Sequence, residues 1–154
     1  MIQLNKNDLE VIEMVNNLLE WYEKNAEKAT ILQLLNFQDR LSLLSCNIAK
    51  ITGDCKASYL SAYFERKHNH SIKKLYHIGN GDTAAKAEEK AELENEEHRR
   101  IEIDEEKMSY IISLQLRQVN KVLSACQQRI SFEKSEKEQS AKLDQWIKEK
   151  NKIN

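Results

Sequence analysis

The chain contains no proline and only three glycines. With so few helix breakers, and with abundant Glu, Lys, Leu, Gln and Ala, it reads as all-α, built of elongated antiparallel helices in a hairpin or bundle. Aromatic residues make up only 6% of the chain, and 32% charged against 40% hydrophobic residues leaves a modest core. No apolar run approaches the ~20 residues of a membrane span, and the opening MIQLNKNDLEVIEMV has no basic segment followed by an apolar one. Cys46, Cys55 and Cys126 are odd in number and widely spaced. That excludes a disulfide framework and suits reduced thiols in a cytoplasmic protein. A net charge of −1 supplies no general attraction to polyanions, so any such attraction must be local.

Signatures of chemistry are missing too. The sequence has no P-loop, no GxGxxG, no nucleophile elbow, and neither CxxC nor HExxH. His68 and His70, two positions apart, point about 200° away from each other on a helix and do not converge on a metal. The expectation is therefore a protein that is not an enzyme and has no cofactor or metal site.

One segment is conspicuous. Residues 63–82, YFERKHNHSIKKLYHIGNGD, hold four Lys/Arg against two acids, three of the four histidines and two of the three glycines. Around it, hydrophobic spacing predicts a first helix capped by Asn7 or Asp8, with Leu9, Ile12, Val15, Leu19 and Tyr22 on one face. The polar stretch Lys24–Lys28 reads as a turn or weak helix. A second helix starts near Thr30, with Gly53 as a breaker or a kink. A third segment runs from Cys55 to Ile78 and is stopped by Gly79-Asn80-Gly81, with Asp82 or Thr83 capping the next helix. From Ala84 onward there is neither glycine nor proline. An acidic stretch comes first, then a heptad-like seam at Ile112, Leu116, Val119, Leu123, Cys126 and Ile130. A break is expected within FEKSEKEQSAK. Leu143, Trp146, Ile147 and Ile153 form a last apolar stripe on a short C-terminal helix. The predicted division is a helical binding domain over 1–139 and an oligomerisation helix over 140–154.

On a helical wheel started at Tyr59, the residues Tyr59, Tyr63, Arg66, His70, Lys73, Lys74 and His77 share a stripe roughly 100° wide. Leu60, Phe64, Ile72, Leu75 and Ile78 fall on the other side. The apolar face is expected to dock on the protein and the basic face to be presented. Cations spaced to meet successive phosphates, beside aromatic rings for bases, are what single-strand binding without sequence readout requires. With His70 and His77 on that face, binding is expected to strengthen as pH falls from about 8 to 6.

The sequence Lys73-Lys74-Leu75-Tyr76, followed by Gly79-Asn80-Gly81-Asp82, resembles the phage recombination-mediator family typified by UvsY. The order of the acidic segment, the apolar seam and the C-terminal stripe is similar as well, over roughly residues 30–154. Ser71 stands where the family type has a lysine and Asn80 where it has an arginine, so Lys73 carries over most directly. Lys74, Arg66 and Lys67 come from the wheel. The resemblance implies a protein that binds single-stranded DNA and loads a RecA-type recombinase onto strands covered by single-strand-binding protein. It also implies a homo-oligomeric ring of roughly six or seven copies. The expected DNA contacts are Lys73, Lys74, Arg66, Lys67, Tyr59, Tyr63, His70, His77 and Tyr76. Leu143, Trp146, Ile147 and Ile153 are expected to join subunits. The alternative is a helical coiled-coil scaffold or virion assembly module that binds no nucleic acid.

Overall fold

The computed structural model describes residues 4–150, and within them the chain is four helices with no strand. They are α1 (Lys6–Asn25), α2 (Ile31–Gly79), α3 (Ala84–Glu94) and α4 (Glu96–Lys150). The all-α expectation holds. Among the described residues, no helix is long and apolar enough to cross a membrane.

The helix starts follow local hydrogen bonding. Asn5 caps α1 through a reciprocal pair: the Asp8 amide donates to Asn5 Oδ1 at 3.0 Å and the Asn5 amide donates to Asp8 Oδ2 at 3.1 Å. The cap therefore lies two residues before the earlier of the two expected positions. Thr30 and Gln33 make the same kind of box at the start of α2, where it was expected. Gly53 does not interrupt α2, which runs straight through it. At the far end of α2 the Asp82 amide donates to the His77 carbonyl and the Gly81 amide to the Ile78 carbonyl. This paired closure needs a left-handed residue at its corner, and Gly81 supplies it with φ of +92°.

Two features of the second half depart from expectation. α3 and α4 are separated at Asn95, a residue with neither the flexibility of glycine nor the ring of proline. It is 3% exposed, and its side-chain amide donates to the Arg66 carbonyl on α2 at 2.9 Å. That tertiary bond rewards the break, which propensity alone does not signal. Conversely, the break expected within 132–142 is not there. α4 continues through it, because long Glu, Lys and Gln side chains are good helix formers and pairs such as Arg129–Glu133 support the turns. The C-terminal stripe is the end of α4, and Ile153 lies outside the described residues.

The described residues form two compact units. One contains residues 4–10 and 47–116. Its core is Ile48, Ile51, Cys55, Ala62, Ala87, Ala91 and Ile112. The other contains residues 11–46 and 117–150, with Val15, Leu19, Leu34, Phe37, Leu41, Val119, Cys126 and Ile130 at its centre. In this second unit Trp21 and Tyr22 both stack on Phe37, at 5.4 and 5.0 Å between centroids. The Cys126 thiol donates to the Leu34 carbonyl at 3.5 Å. Burial raises the pKa of Cys126, and likewise of Cys55, keeping both as neutral core thiols. Of the expected seam, Ile112 is buried in the first unit and Val119, Cys126 and Ile130 in the second, while Leu116 and Leu123 are half-buried.

Glycine positions give opposite expected outcomes. Gly53→Ala should stabilise by about 0.5–1 kcal/mol, because the helical site is open to a methyl group. Gly81→Ala should destabilise by about 1–2 kcal/mol, because alanine resists the left-handed corner. Urea unfolding of the two variants checks the sign of each.

Candidate nucleic-acid interface

The short turn after α2 brings α3 and the start of α4 back alongside it. The basic stripe of α2 then meets the acidic stretch directly. The Arg66 guanidinium pairs with Glu102, both side chains being largely buried at 24% and 13% exposure. Lys74 lies 2.5 Å from Glu88, and His70 Nε2 lies 3.3 Å from the same carboxylate. Lys73 donates to the Glu94 carbonyl and sits 3.9 Å from its carboxylate. His77 is held between Glu94, 2.9 Å from Nε2, and Asp82, 3.7 Å from Nδ1. Lys90 closes the row on Asp82 at 2.6 Å.

This inverts the expected division of faces. Arg66, His70, Lys73, Lys74 and His77 turn toward α3 and α4, while Phe64 and Leu75 are 65% and 69% exposed, with Leu60, Ile72 and Ile78 also exposed. The buried positions on this side are small, Ala62 on α2 and Ala87 and Ala91 on α3, and the long cations reach past them to the carboxylates of α3 and α4.

Of the remaining expected contacts, Tyr59 is half-buried and Lys67 is exposed. Tyr63 is half-buried, with the Arg66 guanidinium and the Lys67 ammonium each 5.7 Å from its ring centre. Tyr76 is exposed and packs edge-on to His77 at 5.5 Å. A groove of about 440 Å³ runs beside the clasp, lined by Arg66, Lys67, His70 and Arg99 together with Glu88, Glu92 and Glu102. Within it His70, Glu88 and Glu92 bring three ligand atoms within 4.8 Å of one another. The Lys74 ammonium already occupies Glu88, and three more cations line the groove, so the site supplies its own positive charge and does not call for a metal ion.

The wheel did not find the acidic partners Glu88, Glu94 and Glu102, the Asn95 anchor or Arg99. The signal was available in the four-residue turn: a connection that short makes the flanking helices antiparallel neighbours. At the C-terminal end, Leu143, Trp146 and Ile147 are exposed on α4. Comparison with models of known protein families, with curated proteins and with solved structures yields no match to this chain.

The hydrogen bond from Lys74 holds the Glu88 carboxyl below its ordinary range, and that from Lys90 does the same for Asp82. A depressed carboxyl adds stability above the unfolded-state pKa and loses it as pH falls through the folded-state value. Stability should therefore decline below about pH 4. Glu88→Gln, which lacks one of these pairs at every pH, should lose less between pH 6 and pH 3. Urea midpoints at the two pH values, measured for both proteins, check this.

Proposed function

We propose that this protein is a single-stranded-DNA-binding recombination mediator that works as a homo-oligomer and loads a RecA-type recombinase onto strands covered by single-strand-binding protein. The observation that carries the reading is the row of cations along α2, Arg66, Lys67, Lys73 and Lys74, with His70 among them, continued by Arg99 across a groove open to solvent. Lys67 and Arg99 are exposed and meet a phosphate first. Tyr63, already paired with two cations, offers a ring beside them. Lys74 and Lys73 are about a third exposed and exchange their carboxylates for phosphates once a strand is seated. Binding is thus an exchange of ion pairs. One copy binds weakly, and repetition around an oligomer raises the effective concentration of sites. Carboxylates that compete with the strand also favour its release to a recombinase. The reaction is binding and displacement, with no covalent step.

The inward pairing of the cations and the exposure of Leu60, Phe64, Ile72 and Leu75 favour a second reading, a helical scaffold whose apolar faces bind proteins and whose charges only tie its own helices together.

Fluorescence anisotropy with a labelled oligothymidylate separates the two. Lys67→Ala/Arg99→Ala should weaken binding about tenfold at low salt, while log affinity falls with log salt at roughly −0.7 per phosphate contacted. Glu88→Gln should tighten binding, because it frees Lys74 and removes a repelling charge. An absence of binding by the native protein at about 20 mM salt would sink the mediator reading and leave the scaffold.

A further inference from the structure

The α1–α2 hairpin has two usable faces. In the second unit, one face is covered by α4, through Val15, Leu19, Leu34 and Leu41 against Val119, Cys126 and Ile130. The other face is a groove of about 660 Å³ whose apolar lining is Met14, Leu18, Trp21, Phe37, Leu43 and Leu44. Met14 and Leu43 are 53% and 73% exposed. Asn17, Gln33 and Asn36 add polar contacts, and among the described residues Arg40 is the ionised side chain that lines the groove. Three helices with a bare groove between two of them make a four-helix arrangement with one position open.

The same unit carries a helix suited to that position. Beyond Ile130, Phe132, Leu143 and Ile147 are exposed on α4. At about 100° per residue these three and Trp146 fall within a stripe about 100° wide, as a helix that beds one face in a groove requires. Between Phe132 and Ile147 the carboxylate inside that stripe is Glu136. The groove therefore offers one cation amid apolar side chains, and the stripe offers one anion amid apolar side chains.

We infer that the α1–α2 groove receives the end of α4 from a second copy of this chain. Phe132 and Leu143 bed on the apolar lining of the groove on either side of the Arg40–Glu136 contact. Groove and stripe are different surfaces, so the contact passes from copy to copy and closes as a ring or continues as a filament. The inference rests on the homo-oligomer of the reading above and names the surfaces that build it. It does not depend on DNA binding.

Light scattering after size exclusion measures the particle mass. Arg40→Glu and Glu136→Arg should each weaken the assembly, raising its dissociation constant about tenfold. The combined Arg40→Glu/Glu136→Arg chain should recover the native mass, a restoration that mere misfolding would not produce. In a Cys46→Ser background, Arg40→Cys and Glu136→Cys chains should form a disulfide-linked heterodimer when mixed, beyond what either chain forms alone. The inference is overturned by a monomeric native protein, by single charge changes that leave the mass untouched, or by a mixture that does not cross-link. An Arg40→Cys/Glu136→Cys chain that closes within itself at monomer mass would overturn it as well, by placing the stripe in its own groove. If the mass stays native and oligothymidylate still binds, the groove assignment alone fails. If binding is absent while the charge swap behaves as expected, the mediator reading alone fails.

Discussion

A four-residue turn constrains everything around the basic segment. Gly81, in the left-handed corner, lets the chain reverse directly after α2, so α3 and the start of α4 run back along it. Once that is settled, a cationic helix edge and an acidic one must lie side by side. Arg66 finds Glu102, Lys74 finds Glu88, and His77 is enclosed by Glu94 and Asp82. A half-exposed pair such as Lys74–Glu88 is a weak contributor, on the order of 0–1 kcal/mol. The value of the pairs lies in register: a slide of one helical turn would separate every pair at once. The buried Asn95 amide on the Arg66 carbonyl holds the same register.

This arrangement makes the molecule a balance of competing partners. Cations that can meet phosphates are held by carboxylates a few ångströms away, so a polyanion must displace an internal partner to bind. Lys67 and Arg99, by contrast, are exposed where they line the groove. Meanwhile the large apolar residues of α2, Phe64 and Leu75 among them, face outward. Burying such side chains is worth roughly 1.5–3 kcal/mol each, more than the pairs on the opposite face. Surfaces of this kind suit a chain that functions among other copies or other proteins.

Much of the fold was legible in the residues. Three helix starts fell within two residues of expectation, the turn at 79–83 was placed correctly, and the seam from Ile112 to Ile130 is buried or half-buried throughout. The orientation of the basic helix was not read correctly, and Gly53 explains why. A wheel confined to the residues from Tyr59 onward leaves out the buried positions that precede Gly53. The helix in fact runs through Gly53. Carrying the phase of Ile48, Ile51 and Cys55 forward lands on Ala62, Arg66, Asn69, Lys73 and His77, the side that meets α3 and α4. The wheel was right about which residues share a face, but which face turns inward depends on the partner helix.

The amino-acid order alone determined the helices, their caps, the left-handed corner and the two charge stripes, because these depend on neighbours within a few positions along the chain. Only the tertiary structure decided which stripe is enclosed, that Asn95 and not the polar run after Ile130 interrupts the second half, and that the heptad-like seam is divided between two units. Those outcomes turn on partners distant in the chain: with Ala62, Ala87 and Ala91 buried, the long cations of α2 reach carboxylates that only the reversal of the chain brings alongside.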